Sequence, residues 1–172
     1  MTAYIGIDNG VTGSIGGIKC GATIFVPMPT FVEQNYTKKK GNITRVDATK
    51  LDDILYDFTK DAKTVKIMME RPMVNPKRFA ATRSALRALE ATLVVINFLD
   101  FPITYIDSKE WQKEMLPKGV KGPSELKKAS RDIACRLFPK HKKQIKRTNR
   151  NGRDEGDGDG ILIAEYCRRF FK

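Results

Sequence analysis

The sequence predicts a mixed α/β domain in which a five-stranded sheet is flanked by helices, and three features predict it. Residues Ala3 to Asp8 alternate in strand fashion and lead through a glycine-bounded turn, Gly10 to Gly13, into two more strand-like runs. Val65 to Glu70 is a short, mostly apolar run that stops at Arg71-Pro72, where proline ends a strand. Arg78 to Leu99 repeats apolar residues at intervals of three and four, the period of a helix.

Taken in order, Ser14 to Lys19 and Ala22 to Pro27 form a hairpin after the first strand. Met28 to Arg45 turns polar, with Lys38, Lys39 and Lys40 in a row, and reads as a long loop or mobile excursion. Asp47 is an N-cap for a helix from Ala48 to Lys60. In the helix from Arg78 to Leu99, Phe79, Thr82, Leu86, Leu89, Leu93 and Ile96 mark the face turned to the sheet, with Arg83, Arg87 and Glu90 on another. Phe101 to Asp107 supplies the fifth strand. Ser108 then caps a short helix to Leu116, and Ser124 opens another to Phe138. Pro117 to Gly122 between them is a flexible basic loop. From Lys140 to Arg153, seven of fourteen residues are Lys or Arg; the charge then inverts, with four acids from Asp154 to Asp159, before Ile161 to Phe171 resumes an amphipathic helical pattern.

At 172 residues the chain is long enough for one domain with one core. No uncharged apolar run approaches the roughly 20 residues of a membrane span. The N-terminus, MTAYIGIDNG, lacks the basic and apolar regions of a secretion signal, and Cys20, Cys135 and Cys167 are an odd number without metal-ligand spacing. These features fit free thiols in a cytoplasmic protein and argue against zinc and a disulfide framework. The formal net charge of +12, from 32 Lys and Arg against 20 Asp and Glu, attracts polyanions, with nucleic acid the leading partner.

Three acidic positions close or open predicted elements, where carboxylates can share a cleft: Asp8, Glu70 and the cluster ending at Asp159. If the strands ending at Asp8 and Glu70 are neighbours, their carboxylates approach metal-bridging range. Paired divalent ions about 3.5–4 Å apart stabilise the attacking and leaving oxygens in phosphodiester hydrolysis, and hard oxygen ligands suit Mg²⁺ or Mn²⁺. Each acid also has a structural reading. Asp8 can be a turn-former, Glu70 a solvated strand end, and Asp157 and Asp159 residues that complement a helix N-terminus. The run from Gly156 to Gly160 lacks the spacing and terminal Glu of an EF-hand. His141, the only histidine, is a general base or a surface residue.

The segment Ile5 to Gly13, the segment Met68 to Pro72 and the segment Asp159 to Ala164 resemble, in order and separation, the three acidic blocks of RuvC-type Holliday junction resolvases. Trp111 to Met115 and Ser124 to Lys128 resemble the family's basic DNA-contacting segment, so the likeness spans nearly the whole chain. The divergent sequence and the excursion at 28–45 look more like a bacteriophage member, acting in the cytoplasm of its bacterial host, than a cellular one.

The resemblance implies a ribonuclease-H-like fold and a homodimer that binds a four-way DNA junction and nicks two strands symmetrically, with two Mg²⁺ (or Mn²⁺) ions per active site. Asp8 and Glu70 take the first two ligand positions and Asp159 the last. The remaining acid falls three or four residues before the last in the family; Gly156 occupies the first spacing and Glu155 the second, so Glu155 is favoured, with Asp157 as substitute. Lys113 and Lys127 fall on junction-binding lysines, with Arg71, Arg78, Lys118, Lys121 and Lys128 as further DNA contacts. Met73 stands where an aromatic wedge often follows the second acid; Phe79 serves instead or packs in the core. Rival readings are an ATP-using protein of the actin and sugar-kinase class, from Asp8-Asn9-Gly10-Val11-Thr12-Gly13, a non-catalytic junction-binding module, and a nuclease of the same fold acting on other branched DNA or on RNA–DNA hybrids.

Overall fold

In the computed structural model, which describes residues 1–36, 38, 40–147 and 157–171, the strand Thr2–Asp8 (β1) pairs antiparallel with Ser14–Lys19 (β2), and β2 pairs antiparallel with Ala22–Pro27 (β3). Thr30–Gln34 (β4) and Asn42–Val46 (β5) form a separate antiparallel pair. Ala48–Thr59 (α1) follows, then Thr64–Glu70 (β6), parallel to β1. Phe79–Phe98 (α2) leads to Ile103–Ile106 (β7), parallel to β6. Ser108–Met115 (α3), Pro123–Leu137 (α4), Lys142–Ile145 (α5) and Asp159–Phe170 (α6) complete the elements. The main sheet has the order β3-β2-β1-β6-β7, so the expected mixed five-stranded sheet flanked by helices is the fold observed.

Strand periodicity distributes the core over two faces. Ala3, Ile5 and Ile7 of β1 and Val65, Ile67 and Met69 of β6 point toward α1 and α2, where they join Leu51, Leu55, Phe58, Ala88, Val95 and Ile96. The intervening positions point to the other face. There Met68 meets Trp111, Met115, Ala134 and the fully buried run Ile161 to Ala164 of α6. Asp8 and Glu70 share the parity of Gly6 and Met68, so alternation alone turns both toward the α6 side.

On that side β1 and β2 carry glycine where α6 crosses. A Cβ on Gly6 would lie 2.1 Å from the Ala164 backbone nitrogen, and one on Gly16 would lie 2.3 Å from the Ile161 Cα. Gly160 of the helix returns the contact, since its Cβ would sit 2.6 Å from the Ser14 carbonyl oxygen. Helix backbone therefore rests directly on sheet backbone.

Several local expectations are corrected. The excursion at 28–45 contains β4 and β5, whose Thr, Val, Ile and Phe residues favour strands within an otherwise polar stretch. In α2 the buried residues are Ala88, Thr92, Val95 and Ile96, while Phe79 is 70% exposed and Leu86 40% exposed, so the sheet-facing stripe is rotated from the one expected. Asp107, not Ser108, is the N-cap of α3: its backbone N–H donates to the Glu110 carboxylate at 3.2 Å. Helix α4 opens at Pro123, a residue suited to the first helical turn, rather than at Ser124. Beyond these corrections, the basic run starts in a turn at Pro139–His141 and continues into α5, with Ile145 fully buried. Asp47 caps α1 as expected, accepting from the Lys50 N–H at 3.1 Å.

Candidate metal centre

Asp8 ends β1, and Ile7 stands opposite Met69 in the parallel register, so Asp8 and Glu70 emerge side by side at the carboxyl ends of adjacent strands. Such ends are where open α/β sheets gather ligands. Across the antiparallel partner, Asp8 faces Ser14. The Ser14 hydroxyl donates to the Asp157 carboxylate at 2.9 Å and accepts from the Gly160 N–H at 3.0 Å, joining the start of α6 to the start of β2, beside the end of β1. The other Asp157 oxygen accepts from the Asp159 N–H at 2.8 Å. Asp159 lies in the first turn of α6, where the helix dipole favours negative charge, and its carboxylate accepts from the Ser130 hydroxyl of α4. A side chain at Gly13 would meet this geometry head-on, with its Cβ 3.2 Å from an Asp8 carboxylate oxygen.

Asp8, Asp157 and Asp159 each present one carboxylate oxygen, and these atoms lie within 4.8 Å of one another. This all-oxygen triad can coordinate one metal ion, and its chemistry suits a hard divalent cation. Electrostatics fit the same reading. Burial, followed by the charges of Asp157, Asp159 and Glu70, holds the Asp8 carboxyl well above the usual carboxylate range. Burial and the Asp157 charge push Asp159 up to about 7, against the opposing effects of the Ser130 hydrogen bond and the Lys127 charge. Acids crowded in this way repel one another until a cation or protons neutralise them.

Glu70 stands apart from the triad, although its charge acts on both Asp8 and Asp159. One carboxylate oxygen accepts from the Ser108 hydroxyl and the other from the Trp111 indole N–H at 2.7 Å. Trp111 is fully buried, so α3 grips the Glu70 carboxylate from behind. Ser14, Ser108, Ser130 and Trp111 are the supporting residues that sequence reading did not assign. Ser108 and Trp111 lie three apart on one helix just after a strand, which is the pattern that turns both toward a neighbouring strand end.

Glu155 lies outside the described residues, whereas Asp157 is in the triad. Lys127 is exposed near enough to Asp159 for its charge to act there. Lys118, Lys121 and Lys128 are exposed, and Lys113 lines a cleft of about 380 Å³ with Glu110, Glu114 and Tyr166. Arg71 pairs with Asp107 at 3.0 Å, and Arg78 is exposed at the start of α2. Met73, 77% exposed, and Phe79 stand out from the surface; the core role weighed for Phe79 is thereby corrected. His141 hydrogen-bonds Thr23 of β3 at 2.9 Å, half-buried against the sheet edge. Among the described residues, no helix is long and apolar enough to cross a membrane.

No family model and no curated protein matches the sequence. Solved structures do match the fold. Thermus thermophilus RuvC is 12% identical, with 98% of this chain and 96% of that chain covered at a TM-score of 0.56. T. thermophilus RuvC in complex with a Holliday junction substrate is 11% identical over the same shares, at a TM-score of 0.51. The chain therefore has a RuvC-like, ribonuclease-H-like architecture, and an acidic triad stands at the carboxyl end of its central strand.

Proposed function

We propose that the protein is a structure-selective DNA endonuclease that resolves four-way junctions by divalent-metal-dependent phosphodiester hydrolysis, acting as a homodimer that nicks symmetrically. The observation carrying this reading is the convergence of Asp8, Asp157 and Asp159 from opposite ends of a chain with net charge +12. Those three would hold one Mg²⁺ or Mn²⁺ ion, and Glu70, oriented by Ser108 and Trp111, would complete a second site with Asp8. When bound, divalent ions lower the pKa of an attacking water and offset charge on the phosphate.

The rest of the work falls to the chain itself. Ser14 and Ser130 hold two of the carboxylates in place, which spares the site reorganisation when substrate arrives. Lys127 stands beside Asp159 to meet the adjoining phosphate, and the exposed Arg71, Arg78, Lys113, Lys118, Lys121 and Lys128 hold the duplex arms. Met73 and Phe79, projecting just after Glu70, stack against or part the bases at the crossover.

The test compares a labelled four-way junction with a linear duplex of matched sequence, each with Mg²⁺ and with chelator. Paired nicks in opposite strands of the junction, dependent on Mg²⁺, are expected. Equal cutting of the linear duplex would overturn junction selectivity, and no cutting of either in Mg²⁺ or Mn²⁺ would overturn the nuclease reading. Ser108→Ala, which frees one Glu70 oxygen, should lower nicking by roughly 10–100-fold without altering junction affinity. A rate equal to the parent's would mean that Glu70 orientation does not matter to the reaction.

A further inference from the structure

The basic segment after α4 carries an inference of its own. Its first part is fastened to the fold at three points. Ile145 is fully buried in the α6-side core, His141 bonds Thr23 on the outer strand β3, and Lys146 pairs with Asp132 of α4 at 3.7 Å. From this fixed base Lys140, Lys143 and Arg147 are exposed, and with Pro27 and Gln144 they line a groove of about 400 Å³. Among the described residues no carboxylate pairs with any of the three.

Position gives these cations a meaning. Pro27, Gln144 and Arg147 also border a small adjoining cleft whose far wall is Thr12, Gly13, Ser14 and Asp157. Pro27, Gln144 and Arg147 thus stand between the groove at the β3 edge and a carboxylate of the metal centre. A short free anion gains from the three cations but is repelled where the groove ends. A polyanion meets all three cations at once with successive phosphates, and its next phosphate can approach the centre when a divalent cation neutralises the acids. Counterion release makes such a contact strong and salt-dependent.

We propose that Lys140, Lys143 and Arg147 form a phosphate track that carries the nucleic-acid strand on the β3 side of the acidic centre. The identity of the ligand rests on the nuclease reading; the track does not depend on cleavage taking place. Anchoring at Ile145 and His141 fixes the backbone that carries the three cations, so less ordering of the segment is needed on binding.

The experiment measures binding, in chelator, of a labelled four-way junction, a linear duplex and a single strand over a range of salt concentrations. Lys140→Ala/Lys143→Ala/Arg147→Ala should weaken binding about 10-fold or more and reduce the slope of log affinity against log salt by about 2 to 3. Lys50→Ala/Lys60→Ala/Lys63→Ala removes equal charge near α1 and should leave the slope at the parent value. Arg147→Lys should keep the parent slope. An unchanged thermal midpoint establishes that the track variant is folded. The proposal is overturned if the track variant keeps the parent slope, or if the control loses as much. It is equally overturned if the parent binds no nucleic acid but uses these cations to bind phosphatidylserine vesicles. A parent that binds through the track but cuts nothing would end the nuclease reading and leave the track standing.

Discussion

Asp8→Asn is expected to reduce metal-dependent nicking by about 1,000-fold, a barrier increase of about 4 kcal/mol. Junction binding should survive, because the contacts proposed for it lie on cations elsewhere on the surface. The same substitution should stabilise the metal-free protein at neutral pH. Burial and neighbouring acids raise Asp8 well above its unfolded value of 3.8, and Asp159 to about 7. Between those values the folded chain binds more protons than the unfolded one, so stability falls as pH rises. The contribution is intact below about pH 4 and is lost as pH climbs through about 7. Thermal melts in chelator should therefore drop for the parent between about pH 5 and about pH 8, and drop less for Asp8→Asn. Added Mg²⁺ should restore the parent's midpoint at the upper end, since a ligand bound only by the folded state stabilises it. A parent profile flat across that range would contradict the crowding of carboxylates on which the site depends.

Gly6→Ala should have the largest effect on folding. Its methyl would sit 2.1 Å from the Ala164 nitrogen and 2.3 Å from the Gly160 carbonyl oxygen, both backbone atoms of a helix that cannot swing aside as a side chain can. Overpacking costs about 1–3 kcal/mol where neighbours adjust, and rigid backbone places this site at or above the upper end. That is a large fraction of a total stability of roughly 5–15 kcal/mol. The helix that shifts is the one carrying Asp159, so metal affinity should fall with stability even in molecules that remain folded. Denaturant titration and Mn²⁺ binding measure the two effects; parent-like values in both would show that α6 does not rest on β1.

The sheet was legible because β1, β2, β3 and β6 have simple patterns: alternation or apolar runs, punctuated by glycine and proline. Strands β4 and β5 were not, because they bury little and stand in polar sequence. Helix α2 was legible as a helix, and Leu89, Leu93 and Ile96 of its expected inward stripe do meet the core, but its centre is turned toward Ala88, Thr92 and Val95. Apolar residues surround much of its circumference, so Phe79 and Leu86 fit the repeat as well as Val95 and Ile96 do. Asp8, Glu70 and Asp159 could be picked out by their places at element ends. What no spacing rule supplies is the closeness of Asp157 to Asp8 and the removal of Glu70 from the triad. Those depend on the Ser14 hydroxyl and on the grip of Ser108 and Trp111, contacts between residues as much as 146 positions apart.

The triad takes Asp8 from the first strand and Asp157 and Asp159 from the start of the last helix. During synthesis Asp8 leaves the ribosome early and waits, unmatched, while the intervening sheet and helices emerge. Only when α6 is released and docks can the ligand set exist, so a nascent or prematurely terminated chain lacking α6 holds no such centre. Any chemistry that needs all three acids is withheld until translation has passed the last of them.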